Sequence, residues 1–176
     1  MRACFALLLF VSAASASPSS AVVPGCQPAD EATLAALNAV RARPQRCGDR
    51  LWPAARALRP NALLGGSARR YAQELARRDR LDHIGEAGLS LRARLREAGY
   101  VLRFAGENLA GGPETLDEAL THWLASPAHC ANLMGADFEE FGLACVTGPG
   151  ELQRYWVLHL GVAVAPPVRS SPDRSP

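Results

Sequence analysis

The sequence predicts an α+β layered domain, with helices first and an antiparallel hairpin at the end. Three observations carry this reading. Apolar residues recur at helical spacing in several segments up to about Ala125. Phe141 to Val146 and Tyr155 to Ala163 are short apolar runs around the turn Gly148-Pro149-Gly150. Helices followed by strands, without regular alternation, are the pattern of a layered α+β fold.

Taken in order, Asp30 is a suitable N-cap for a first helix reaching about Arg43. Leu34, Leu37, Asn38 and Arg41 share one side of it, and Pro44 follows its end. A second helix spans about Ser67 to Arg80, with Ala68, Tyr71, Ala72, Leu75 and Ala76 at helical period. Arg69, Arg70, Glu74, Arg77 and Arg78 form its other face. A third, shorter helix covers about Ser90 to Ala98 and stops at Gly99. A fourth covers about Thr115 to Ala125, with the stripe Leu116, Ala119, Leu120 and Trp123. Pro127 then interrupts, and a short turn carries His129 to Met134.

The chain's 176 residues are enough for one domain with a real core. Hydrophobic residues make up 48% and charged residues 20%, the balance of a soluble globular protein. All 19 basic residues are Arg, spread along the chain and often beside acids, and the net charge is only +2. No basic stripe with interleaved aromatics is present, so nucleic acid is not an expected partner.

Arg2, the apolar run Ala3 to Ala14 and the small-x-small site Ala14-Ser15-Ala16 have the three-part form of a secretory signal peptide, expected over residues 1–16. The run is too short to span a bilayer as a helix of about 20 residues, and no transmembrane segment is expected later. Residues 17–28 read as a Pro/Ser-rich leader, 29–165 as the domain and 166–176 as a disordered Pro/Ser tail. The expected destination is export, to the periplasm or the extracellular space. Five Cys are present, and Cys4 lies in the signal. The remaining four, Cys26, Cys47, Cys130 and Cys145, predict two disulfides. Of the three pairings, Cys26–Cys47 with Cys130–Cys145 is favoured, because each closes a short loop. A zinc site of cysteines is disfavoured, since no Cys-x-x-Cys occurs.

Polar residues in apolar settings mark the candidate site. Asp82-His83-Ile84-Gly85 follows the second helix, and Ser126-Pro127-Ala128-His129 follows the fourth. Between them lies Gly106-Glu107-Asn108-Leu109-Ala110, a carboxylate beside an amide in a largely apolar stretch. Buried unpaired, such groups cost about 1–3 kcal/mol or more each, so they need partners, which histidines at helix ends can supply. His122 reads as solvated, and His159 as a satisfied strand histidine rather than a ligand.

Ordered along the chain are N-x-x-R (Asn38, Arg41), L-x-x-x-A-x-x-x-A (Leu64, Ala68, Ala72), H-x-G (His83) and G-Y (Gly99, Tyr100). G-E-N-L-A (106–110), W-x-x-S-P-x-H-x-x-N (Trp123 to Asn132), F-x-E-x-G (Phe138, Glu140, Gly142) and Y-W (Tyr155, Trp156) follow. This order resembles the bacterial branch of the CAP superfamily, the SCP domain of cysteine-rich secretory, antigen 5 and pathogenesis-related proteins. The resemblance spans about residues 31–163. It implies an α-β-α sandwich of about four helices on a small antiparallel sheet, with a surface cleft. In many members the cleft's two His and its acidic residues can bind a divalent metal, often zinc.

Residue by residue, His83, Glu107 and His129 match that cleft, and Glu140 is the best candidate for a fourth group. Where animal and plant members carry a second Glu, this chain has Ser126. Asn108, Trp123 and Asn132 read as structural parts of the motifs. The same residues suit three arrangements: a Zn²⁺ site with an open position, a metal-free acid–base pair, or a hydrogen-bonded network locking loops to the core. No G-x-S-x-G or H-E-x-x-H is present. The resemblance implies first a secreted binding module for a sterol, other lipid or protein partner, second a metal- or His/Glu-dependent hydrolase, and third a structural envelope protein.

Overall fold

Five α-helices and six strands build the domain in the computed structural model, which describes residues 25–164. The expected signal peptide, most of the leader and the tail lie outside the described residues. The chain runs α1 (Asp30–Arg41), β1 (Gln45–Cys47), β2 (Arg50–Trp52), β3 (Arg59–Pro60), α2 (Ala62–Arg78), α3 (Leu91–Glu97), β4 (Leu102–Gly111), α4 (Leu116–Ala125), α5 (Pro127–Met134), β5 (Glu140–Thr147) and β6 (Arg154–Ala163). β1 and β2 form a small separate hairpin. The main sheet has the order β3-β5-β6-β4, antiparallel except for β3, which runs parallel to β5.

Helices cover both faces of this sheet, making the α-β-α sandwich. Along β6, Tyr155 and Val157 face α2, where they pack with Ala68, Tyr71, Ala72 and Leu75. Trp156, Leu158 and Leu160 face the other way, against Leu37 of α1, Leu120 and Trp123 of α4 and Leu133 of α5. A strand buried on both faces reads as a continuous apolar run, as β6 does. No helix of the described residues is long and apolar enough to cross a membrane.

Several boundaries differ from the sequence reading. α2 begins at Ala62, five residues earlier than expected, with the Asn61 side chain accepting from the Leu63 and Leu64 N–H groups as its N-cap. Gly65 and Gly66 disfavour a helix on propensity alone, yet α2 runs through them, its backbone packed closely on β5 at Gly142. A Cβ on Gly142 of β5 would collide with the backbone of Leu64 and Gly65. α5 is a full helix and not a turn, because Pro127 occupies its first turn, where a missing N–H and a fixed φ are favourable. Asp30 is the first residue of α1, whose N-cap is Ala29.

The disulfides overturn the expected pairing. Cys26 bonds Cys145, and Cys47 bonds Cys130. Closeness in sequence was the wrong guide, since packing brings remote elements together. The segment before α1 lies along β5, where Gln27 Oε1 accepts from the Cys145 N–H at 2.8 Å. Cys47 on β1 meets Cys130 on α5 in a cluster with Met134. The bonds span sequence separations of 119 and 83. Loops of that size restrict the unfolded chain by roughly 4–5 kcal/mol each in the chain-entropy picture.

Two buried polar side chains of α1 tie it to the rest. Asn38 exchanges both amide hydrogen bonds with the backbone of Leu58 (3.1 and 2.8 Å). Arg41 is fully buried and donates to the carbonyls of Arg56, Leu133, Gly135 and Phe138. Leu133 and Gly135 lie at the C-terminal end of α5, where orphan carbonyls and the helix dipole favour a cation. Arg41 thereby fixes the helix that carries His129.

Candidate functional site

β4 lies at the edge of the sheet, and the candidate residues gather along it. Gly112 N–H donates to the Arg154 carbonyl of β6. This sets the even-numbered residues of β4 toward β6 and turns the Glu107 and Leu109 carbonyls to the free edge. Both carbonyls are capped by side chains: Asn132 Nδ2 donates to Glu107 O at 3.1 Å, and Trp123 Nε1 to Leu109 O at 2.9 Å. An exposed edge invites pairing with another strand, and these caps from α4 and α5 close it. Asn108 faces α5, donating to the His129 carbonyl (2.9 Å) and accepting from Asn132 (2.9 Å). Asn108 and Asn132 staple α5 to β4, and Trp123 staples α4 to it.

Glu107 points to the opposite face, toward α2 and α3, and is 6% exposed. Three donors converge on its carboxylate. His83 Nδ1 meets Oε1 at 2.8 Å, while Arg94 NH2 at 2.6 Å and His159 Nε2 at 2.9 Å share Oε2. Burial alone would push the Glu107 pKa up. Bonds from His159 and His83, with the Arg94 charge, outweigh burial and hold it at about 2. Glu107 is therefore ionised. His159 is fully buried, and burial pushes its pKa down, so it sits neutral beside the Glu107–Arg94 ion pair. In that state Nε2–H donates to Glu107.

Arg94 organises the loop that carries His83. Its guanidinium stacks on the Tyr71 ring, 3.4 Å from the centroid. Its NH1 donates to the carbonyls of His83 (3.1 Å) and Leu89 (2.8 Å). The Tyr71 hydroxyl donates to the Asp82 carbonyl, and Asp82 Oδ1 accepts from the Ile84 N–H at 2.9 Å. His83 is left with an exposed ring (59% side-chain exposure) whose Nδ1 is oriented by Glu107. That bond raises the His83 pKa, against a smaller opposing effect of burial. His129 projects from the first turn of α5. Burial, then the nearby His83 charge, lowers its pKa.

The structure brings His83 and Glu107 into direct contact, while His129, half-buried on α5, makes no contact with Glu107. Glu140 stands apart at the start of β5. Its Oε2 accepts from the Tyr100 hydroxyl at 2.8 Å, and Tyr100 crosses the sheet over Gly161. One member of the cluster, Arg94, escaped the sequence reading, while His159, expected to be a satisfied strand histidine, is buried on β6 with Glu107 as its partner. For His159 the signal was a polar ring in an otherwise apolar strand, which needs a buried partner. For Arg94 it was a cation on the apolar stripe of a short helix, next to Leu95. Among the described residues, no three His, Cys, Asp or Glu side chains converge to hold a metal ion. Both Glu107 oxygens are engaged, leaving two imidazoles as donors, fewer than the three or four protein ligands of a zinc site.

A three-layer α-β-α sandwich is the architecture that the ordered motifs imply. The model of the cysteine-rich secretory protein family, CAP, matches residues 34–160, and the chain belongs to that family. A curated relative, the uncharacterized protein YkwD of Bacillus subtilis, is 28% identical over 89 residues, which cover 51% of this chain and 35% of the relative. The chain thus spans well under half of that protein. An outer surface protein of Borrelia burgdorferi has a similar fold, with TM-score 0.66 at 18% identity, over 80% of this chain and 100% of that one. An extracellular protein with an SCP domain from Bacillus anthracis has TM-score 0.54 at 20% identity, over 61% of this chain and 34% of that one.

Proposed function

We propose that this chain is an exported binding module whose recognition groups are His83 and His129. The observation that carries the reading is the saturated carboxylate of Glu107, held by Arg94, His159 and His83. A carboxylate fixed in this way orients His83 and does not serve as a base or a metal ligand. Leu81 (38% exposed) and Ile84 (49% exposed) flank His83. The matching partner presents polar groups to the imidazoles and apolar surface to this lip, as a lipid or a protein segment does. Export is supported by the N-terminal signal pattern and by two disulfides, which persist in oxidising compartments. The two imidazoles can hold a divalent ion only with further ligands from solvent or partner, so the module needs no resident metal.

The test follows the His83 and His129 ring signals by NMR while sterol-containing vesicles or a peptide library is added. Saturable shifts of both rings without chemical change in the added molecule support the reading. Turnover of any peptide that is abolished by His129→Ala, with the fold intact, would replace it with the hydrolase reading.

A further inference from the structure

The small net charge of +2 conceals a local asymmetry. Residues 42–60 carry five of the 19 arginines, Arg43, Arg46, Arg50, Arg56 and Arg59, but only one of the 17 acids, Asp49. All five are exposed. Among the described residues, only Arg59 of the five enters an ion pair, with Glu139 at 3.7 Å. At the centre of this segment stands the β1–β2 hairpin. Two strands of three residues are marginal by themselves, so the hairpin is held from outside. Cys47 bonds Cys130 of α5, and Gln45 Nε2 donates to the Val40 carbonyl of α1 at 3.1 Å. Gly48 opens its two-residue turn with a φ of 61°, the positive value that such turns require. A Cβ there would meet the Pro127 side chain at 3.2 Å, so the turn rests against the start of α5.

The register decides what this fixed hairpin presents. Side chains alternate between the two faces of a strand. Cys47 is buried, with Trp52 packed in its cluster, and marks the inner face. Arg46 and Leu51 are cross-strand partners on the other face, and both are exposed, Leu51 by 60%. Arg50 stacks on the Trp52 ring, 4.3 Å from its centroid. A lone exposed leucine is ordinary on a protein surface. Leu51 differs in its setting, an apolar side chain held outward among unpaired guanidinium groups. An anionic bilayer satisfies both kinds of group, since lipid phosphates accept from arginine and the acyl boundary takes the leucine. A soluble polyanion would satisfy the arginines alone and leave Leu51 in water.

We infer that the β1–β2 hairpin docks on an anionic lipid surface, with Leu51 entering the headgroup boundary and Arg43, Arg46 and Arg50 set against lipid phosphates. This surface is independent of the partner-binding role of His83 and His129.

The experiment sediments the folded chain with vesicles of phosphatidylcholine alone and with vesicles of phosphatidylglycerol and phosphatidylcholine in equal parts. The expected result is binding to the anionic vesicles only, weakening as salt is raised. Arg46→Gln is expected to lower the partition constant about fivefold, the contribution of one cation near an anionic surface. Leu51→Ser is expected to lower it about tenfold through lost apolar burial. Both side chains are exposed, so the melting temperatures of the two variants should match that of wild type, which shows that the loss is one of docking and not of folding. Polyphosphate serves as the soluble polyanion. Equal binding to both vesicle types, no binding to either, or full binding by Arg46→Gln would overturn the inference. So would a Leu51→Ser variant that holds anionic vesicles and polyphosphate as wild type does, the result of a purely electrostatic polyanion surface.

Discussion

Replacing Glu107 by Gln is expected to destabilise the domain severely, and the structure supplies the size of the effect in two ways. Three donors point at the carboxylate, from His83, Arg94 and His159. A Gln side chain offers one acceptor oxygen and turns an NH₂ group toward the others. It also leaves the Arg94 guanidinium, with a side chain 7% exposed, as an uncompensated buried cation. Removing one partner of a buried pair typically costs about 3–5 kcal/mol. The second route is linkage. A carboxylate held at about 2 when folded, against an ordinary 4.5, contributes about 3 kcal/mol at neutral pH. Because the folded pKa is depressed, this stability is present above the unfolded value and is lost as pH falls through the folded one. Urea unfolding of wild type and Glu107→Gln, disulfides intact, measures the difference. The gap is expected to be about 3–5 kcal/mol at neutral pH and to narrow as the solution is acidified from 4.5 toward 2. A gap under about 0.5 kcal/mol at neutral pH, a size ordinary for surface substitutions, would refute the reasoning. So would a gap that acid leaves unchanged.

Other consequences follow from the same geometry. Peptide mapping without reductant should recover Cys26 linked to Cys145 and Cys47 linked to Cys130, and a Cys26–Cys47 peptide would contradict the packing of the N-terminal segment on β5. The double substitution Cys47→Ala with Cys130→Ala is expected to lower stability by about 2–5 kcal/mol and to broaden the His129 signal, because the bond ties down α5. Gly142→Ala drives a methyl into the backbone of α2 and should cost about 1–3 kcal/mol or more, and an unchanged melting temperature would count against the close approach of α2 to β5. The raised His83 pKa has the opposite sign from that of Glu107. Its stabilisation is full below the unfolded value and is lost as pH rises through the folded one. His83→Gln should therefore narrow the stability difference from wild type on the alkaline side, as read by melting temperature against pH.

What the sequence revealed depends on whether a signal is local. α4 and β6 carry their own patterns, an apolar stripe ending in Trp123 and a doubly buried apolar run, and both were legible. β4 was not, because its middle is Gly106-Glu107-Asn108, polar residues whose burial is allowed only by partners elsewhere. α5 was concealed by Pro127, which reads as a breaker unless it is recognised as the first turn of a new helix. The start of α2 was concealed by Gly65 and Gly66, whose low helix propensity is overridden by packing of α2 on β5 at Gly142. His83 and His129 were found from their motifs at helix ends. Arg94 was missed, and the partner of His159 was not named, because these lie in helix packing and cross-strand register, with Glu107 directly opposite His159. The disulfides fail as a local reading for the same reason.

The state of Glu107 separates a locked support from a free cleft carboxylate, and it can be measured directly. Carbon NMR of the Glu107 carboxyl group across an acid titration reports its ionisation in the folded chain. If the carboxylate is held by Arg94, His83 and His159, it stays ionised until about 2. A midpoint near the ordinary 4.5 would mean a carboxylate free to take a proton or a metal, and would contradict the assignment of the site's chemistry to His83 and His129.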